Sequence, residues 1–172
     1  MNYLEIIGKN LIHTQEVQDY IHWAMLKLEH GFETESIIAL VSLLLEIFPD
    51  VVIAKQYFTQ SIKETGLPYP SDKTAIYAYL QFYCDEVILG KIEPEYAVSE
   101  LNEICENIKF NSKFKAIYHS AMVVWSELRE DLVMFSMDEP SIYHTEFNHL
   151  NVDPYILKKV DQFKAVLSLD LS

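Results

Sequence analysis

The most apolar run of the sequence lies at residues 37–48, IIALVSLLLEIF. Only Ser42 and Glu46 interrupt it, and with Glu35 they follow spacings of seven and four residues along one narrow stripe. A helix that is apolar on nearly every side is typical of a central helix enclosed by its neighbours. We therefore predict a central apolar helix over residues 34–48, capped by Thr34, with Leu44 fully enclosed.

This run is too short to cross a bilayer, which takes ~20 apolar residues. The first ten residues, MNYLEIIGKN, have neither the basic region nor the long apolar region of a secretion signal. We therefore expect a cytoplasmic protein that does not associate with membranes.

The composition favours an all-α protein. Half of the 172 residues are hydrophobic, 13% are aromatic, and only 4 Gly and 6 Pro interrupt the chain. This length fits one domain over residues 1–172. We predict seven or eight helices, stacked as helical hairpins around the central helix.

Capping residues set the predicted helix boundaries. Thr14 is expected to cap the second helix, and Gly31, Gly66 and Gly90 follow apolar periodic segments as helix-ending residues do. The remaining boundaries give predicted helices at 3–12, 15–30, 51–65, 72–89, 94–108, 112–132 and from 154 onward. Residues 133–153 lack a period and are predicted to be a long irregular segment.

The net charge of −13 restricts the class of partner. Binding to nucleic acid depends on Lys and Arg that displace counterions from phosphate, and an anionic membrane also attracts basic segments. An acidic surface instead suits a basic protein, because opposite potentials steer the encounter. The same charge is also explained by solubility alone.

The sequence offers no catalytic constellation. Gly-rich phosphate loops and the GxSxG elbow are absent. Cys84 and Cys105 lie on apolar helical faces without nearby basic residues, which is typical of inert buried thiols, although a disulfide between packed helices stays open. We expect a protein that is not an enzyme and has no catalytic residue and no cofactor.

A metal site is not predicted either. The nearest approach is HTEFNH, with His144, Glu146 and His149. The HExxH zinc motif places its histidines four residues apart with Glu directly after the first, whereas here the spacing is five and Glu is displaced.

An acidic region late in the chain is the candidate binding surface. Between residues 127 and 139 five acids stand against Arg129 alone, with Phe135, Met137, Tyr143 and Phe147 among or beside them. Acids beside exposed aromatic side chains are what a surface for a basic protein presents. The alternative is that the aromatic residues cover the end of the core and the acids form a solvated rim. The predicted partner-binding residues are Glu127, Glu130, Asp131, Asp138, Glu139 and Tyr143; the other acidic face contains Glu95, Glu103 and Glu106.

Two segments resemble a family of small, acidic, uncharacterised bacterial proteins. In YIHWAMLKLEHGFETESIIALVSLL (20–44) the matching residues are Trp23, Ala24, Leu28, Glu29, Gly31 and Phe32, which end one helix before a short apolar helix. In AIYAYLQFYCDEVILGKIEPEYAVSEL (75–101) they are Gly90, Ile92, Pro94 and Ala97. The resemblance covers about half of the chain and brings no catalytic residues with it.

In size and acidity these proteins are similar to immunity proteins of bacterial polymorphic toxin systems, including contact-dependent growth inhibition. The resemblance therefore implies a protein that binds a cognate toxin domain through its acidic surface. The alternative function is a helical-repeat adaptor or structural protein that holds another partner or a second copy of itself. The sequence does not decide the oligomeric state.

Overall fold

Helices account for all the regular structure of residues 1–13 and 15–170, the part of the chain that the computed structural model describes. The prediction of an all-α protein is confirmed, while the predicted cap at Thr14 lies outside the described residues. The described residues form eight α-helices: α1 Tyr3–Ile12, α2 Val17–Glu29, α3 Glu35–Ser42, α4 Val51–Glu64, α5 Asp72–Ile88, α6 Pro94–Phe110, α7 Val124–Ser136 and α8 Val152–Leu169.

Three helices end at the predicted glycines. Gly31 has a φ of 81°, which an L side chain rarely adopts, and its N–H donates to the carbonyl of Leu28 at 2.9 Å. The next amide, of Phe32, donates to the carbonyl of Lys27 at 3.0 Å, which completes a Schellman motif. Gly66 and Gly90 follow α4 and α5 in the same way.

Contacts group the chain into two units, Met1–Tyr79 and the residues from Leu80 onward, so that the boundary falls within α5. In the first unit α3 packs against both α2 and α4. Its core includes the ring of Phe58, which lies 4.8 Å from the ring of Tyr20 and 5.1 Å from that of Trp23. A single domain over residues 1–172 stays a prediction.

The first unit also contains a close approach of two backbones. A Cβ added to Gly8 of α1 would lie 2.0 Å from the carbonyl oxygen of Ala75 in α5. Since real Cβ atoms do not approach backbone this closely, glycine is what lets α1 pack here.

The predicted central helix over residues 34–48 is wrong in its second half. Thr34 caps α3 as expected, through an N–H of Ile37 at 3.4 Å, but α3 ends at Ser42 and a single 3₁₀ turn follows at Leu43–Leu45. Leu44, expected to be enclosed, is 48% exposed. The apolar run is divided between a buried helix and an exposed turn, because the 3₁₀ turn ends at Leu45 and the backbone is extended at Glu46.

The helix that is buried over a wide arc is α5, not the predicted central helix. Its buried residues cover more than half of the helix circumference at ~100° per residue: Ala75, Ile76, Tyr77, Tyr79, Leu80, Tyr83, Cys84 and Val87. Cys84 and Cys105 are free and buried, as predicted for inert thiols. Burial raises the pKa of the Cys84 thiol to about 12 and also raises the pKa of Cys105.

In the second unit α6 packs against both α7 and α8, and the ring of Trp125 meets that of Phe163 at 5.3 Å. The single helix predicted over 112–132 is wrong. Two 3₁₀ turns, Lys115–Ile117 and Ser120–Met122, are separated by extended backbone at Tyr118 and His119. This break shifts the register so that Met122 is buried, and α7 then runs to Ser136, past the predicted end.

No α-helix in the described ranges is long and apolar enough to span a bilayer.

Candidate partner-binding site

The predicted site residues lie on α7, from Glu127 in its first turn onward, and on the irregular segment 137–151 that follows it. The segment was predicted from its lack of a period, and its described backbone contains only turns and bends. Its position is fixed by hydrogen bonds to α7 and by aromatic packing.

Asp138 begins the segment in the left-handed region. Its φ is 59°, the only positive value at a non-glycine residue among those described. Its N–H donates to the carbonyl of Phe135, and the N–H of Glu139 donates to that of Met134, both at 3.0 Å. This pattern is the same Schellman motif as at Gly31, with aspartate in the position that usually favours glycine.

The carboxylate of Asp131 holds the segment. Its side chain is buried, and its Oδ1 accepts from the amides of Ile142 at 2.6 Å and Tyr143 at 3.0 Å. Its Oδ2 accepts from the amide of His144 at 3.1 Å and lies 2.8 Å from the Nδ1 atom of the same residue. One carboxylate thus satisfies three consecutive backbone donors and an imidazole, which fixes residues 142–144 against α7.

Two opposing effects act on the pKa of Asp131. Burial alone would raise the pKa, but the hydrogen bonds from Tyr143, His144 and Ile142 outweigh burial and hold the pKa below its ordinary value. The ionised form is therefore the one that the fold stabilises.

His144 lies between two carboxylates of α7. Its Nδ1 faces Asp131, and its Nε2 lies 3.6 Å from Oε2 of Glu127, whose side chain is partly exposed. Glu127 and Asp131 are four residues apart on one helix face, so both reach the same ring.

A further link joins the segment to Glu130 on the surface. The Glu130 carboxylate lies beside the Tyr143 hydroxyl and raises the pKa of that hydroxyl. Both residues are exposed, so this pair faces solvent.

Asp138 and Glu139 line an open surface cavity of about 550 Å³ in the same region. The other lining residues include Pro140, Ser141 and Thr145, and the cavity also touches Phe135. Its rim therefore contains two exposed carboxylates beside hydroxyl and apolar groups.

Some aromatic residues of the region cover the end of the core, and others are exposed as a binding surface would require. Phe135 and Phe147 are buried, 4.8 Å apart, and Phe147 stacks on Tyr155 at 4.9 Å, so they cover the end of the core. Tyr143 is exposed, and so is the thioether side chain of Met137. Ile142 and Leu150 add exposed apolar surface to the segment.

The prediction that Asp131 belongs to a partner-binding surface is wrong. Its carboxylate is fully enclosed and fully used within the chain, so it has no free acceptor for a partner. Its place in the helix was readable from the sequence. Asp131 stands three residues after Leu128 and four before Phe135, on the inward face of α7.

Sequence reasoning also missed the role of His144, which was considered only as a metal ligand. Its ring is held by two acids of α7, whereas the ring of His149 packs on Phe135 at 4.6 Å. Within the described residues no group of three His, Cys, Asp or Glu side chains is arranged to hold a metal ion.

The other acidic face lies on α6. Glu95 and Glu103 are exposed there, and Glu106 forms an ion pair with Lys109 at 3.3 Å. This face lies entirely on a helix. Charge reversals there can therefore serve as the control for charge reversals in the acidic region.

No family model matches the sequence, and searches of curated proteins and of solved structures find no match either.

Proposed function

We propose that the protein is a non-catalytic protein-binding protein, an immunity protein that neutralises a cognate bacterial toxin by covering a basic surface of the toxin. The observation that supports this most is the acidic, partly apolar surface of the segment 137–151 together with the adjoining face of α7. The net charge of −13 and the resemblance of residues 20–44 and 75–101 support the same class of function.

The residues assigned to binding are those that remain exposed. Glu130, Asp138, Glu139 and Tyr143 are exposed, and Glu127 is partly exposed beside them. Asp131 is reassigned to positioning, because it holds the backbone that presents Tyr143.

The expected mode of binding combines steering with local contacts. Lysine and arginine side chains of the toxin are attracted to the carboxylates at the rim, which accelerates encounter at low ionic strength. The apolar side chains of Met137, Ile142 and Tyr143 then supply the surface that excludes water from those pairs.

Growth protection tests this function directly. Reading frames next to the gene in its native host are expressed one at a time in a susceptible strain, with and without this protein. We expect one of them to encode a basic domain that stops growth, and co-expression to restore growth. If every toxic neighbour stays equally toxic in the presence of the protein, the immunity function is refuted.

Stopped-flow association with that toxin domain then tests the surface. The variant is Glu130→Lys with Glu139→Lys, and the matched control is Glu95→Lys with Glu103→Lys, which changes the net charge by the same amount on α6. We expect the first pair to slow association at low salt and the difference to shrink as salt rises, because screening removes steering. Equal slowing by both pairs would show that net charge alone acts, and slowing by the control alone would move the site to α6.

A further inference from the structure

The turn between α3 and α4 exposes several large apolar side chains, and the function proposed above uses none of them. Leu45, Ile47 and Phe48 are 89%, 87% and 91% exposed. We name this surface the apolar turn. It consists of Leu44, Leu45, Ile47, Phe48, Val52 and Ile53.

The apolar turn is built by ordinary helix-end geometry. Leu43 enters the core of the first unit, and the 3₁₀ turn closes with the N–H of Glu46 donating to the Leu43 carbonyl at 3.1 Å. Asp50 then caps α4, its Oδ1 accepting from the amides of Val52 at 2.7 Å and Ile53 at 3.3 Å. Hydrogen bonds at both ends therefore define how the intervening side chains are presented.

The size of this surface indicates what covers it. The exposed area of its six side chains is on the order of 700 Å², close to the ~800 Å² that each partner buries in a standard interface. Contiguous apolar exposure of that extent marks an interaction site rather than the scattered exposure normal for a monomer.

We propose that the apolar turn is the interface of a symmetric homodimer, in which it packs against the apolar turn of a second copy of the chain. Interfaces between identical subunits are more apolar than those of transient complexes, and a two-fold axis brings the same patch of both copies together.

The charges of the turn favour a second copy over the basic partner proposed above. Glu46 is the only charged residue between Ser36 and Pro49, and Oδ1 of Asp50 accepts the two capping bonds of α4. A basic protein would find only Glu46 and Asp50 to pair with on this surface, against six exposed apolar side chains. The inference does not depend on the immunity function, since it uses residues of the first unit only.

Sedimentation velocity over a range from low micromolar to sub-millimolar protein tests the dimer. The variant is Leu45→Glu, and the matched control is Leu150→Glu, which places the same charge at another leucine that is almost fully exposed. We expect the wild type to dimerise, Leu45→Glu to weaken dimerisation at least ~10-fold, and the control to behave as wild type. Circular dichroism establishes that both variants are folded, and Phe48→Glu serves as a second variant at an equally exposed position.

The dependence on salt concentration distinguishes dimerisation from binding to a basic toxin. Two copies of a chain with a net charge of −13 repel each other, so rising salt should leave the dimer unchanged or strengthen it, whereas it should weaken the toxin complex. A wild type that stays monomeric over the whole range, or equal effects of Leu45→Glu and Leu150→Glu, would overturn the proposal.

Discussion

Replacing Asp131 tests the central feature of the site, a buried carboxylate that holds a non-helical segment. The Asp131→Ala variant removes the acceptor of four hydrogen bonds, three of them from the consecutive amides of Ile142, Tyr143 and His144. Hydrogen bonds to a charged group contribute roughly 1.5–3 kcal/mol each. Their sum overstates the loss, because the segment can open and let water reach the donors. We expect a decrease of about 3–5 kcal/mol in the free energy of unfolding, because several buried donors are left without an acceptor at roughly 1–3 kcal/mol each.

The Asp131→Asn variant removes only part of the acceptor capacity that Asp131→Ala removes. The amide keeps one oxygen that can accept from two of the donors, but its NH₂ group then faces a donor. We expect a loss of about 1–3 kcal/mol, the cost of leaving a buried polar group unsatisfied. Chemical denaturation measures both values, and hydrogen exchange at residues 142–144 tells whether the loss is local.

The neighbouring Glu130 is the control for this experiment. Its side chain is exposed, so Glu130→Ala should change the free energy of unfolding by no more than ~0.5 kcal/mol. If Asp131→Ala cost less than ~1 kcal/mol while the amides of residues 142–144 stayed protected, the carboxylate would not be what holds the segment.

The pH dependence of Asp131 has a definite sign. Because its pKa is lower in the folded protein, its contribution is fully present above the ordinary aspartate pKa of ~3.9 and disappears as pH falls through that value towards the folded one. The stability difference between wild type and Asp131→Asn should therefore shrink as pH falls below ~4. A difference that grew as pH fell through this range would contradict the assignment.

Three further predictions concern single positions. Gly8→Ala should destabilise the protein by about 1–3 kcal/mol or more in thermal unfolding, because its Cβ would overlap the Ala75 carbonyl; a neutral effect would mean that α1 can shift freely. Asp138→Gly should stabilise by ~1 kcal/mol by relieving the positive φ, yet weaken toxin binding, and a loss of stability would show that the Asp138 side chain itself supports the fold. Leu40→Ala should cost about 2–5 kcal/mol in denaturant, clearly more than Leu44→Ala, since Leu40 is buried and Leu44 is half exposed; equal losses would restore the central helix.

Local rules predicted the helices well wherever a specific residue ends them. Gly31, Gly66 and Gly90 adopt the positive φ that helix-ending residues need, and Pro94 begins α6. The same rule did not locate the end of α7, because aspartate occupies the left-handed position that glycine usually marks.

The remaining errors lie in segments whose local sequence is compatible with two different structures, so that tertiary packing decides between them. The run at residues 37–48 is compatible with a continuous buried helix. Nothing in its hydrophobic pattern indicates the 3₁₀ turn at Leu43–Leu45 and the extended backbone at Glu46, after which the apolar side chains lie on the surface. At residues 115–122 a continuous helix was predicted, whereas extended backbone at His119 interrupts it and Met122 is buried. No local propensity specifies such a break.

The predicted site residues lie in one region of the structure, but they do not all face solvent. Glu130 lies beside Tyr143, and Glu127 approaches His144. Composition cannot tell an acid that faces solvent from one that serves as an internal acceptor. Periodicity does make that distinction for Asp131, because it shares the face of Leu128 and Phe135.

The hydrogen bonds of Asp131 also reduce the backbone entropy that residues 137–151 would lose on binding a partner. Ordering a backbone costs roughly 1–2 kcal/mol per residue, and a loose segment would lose that entropy each time it met a partner. Here the chain loses it once, on folding, so that the acids and Tyr143 are pre-organised before any encounter. A pre-organised surface gains affinity without gaining a single new contact.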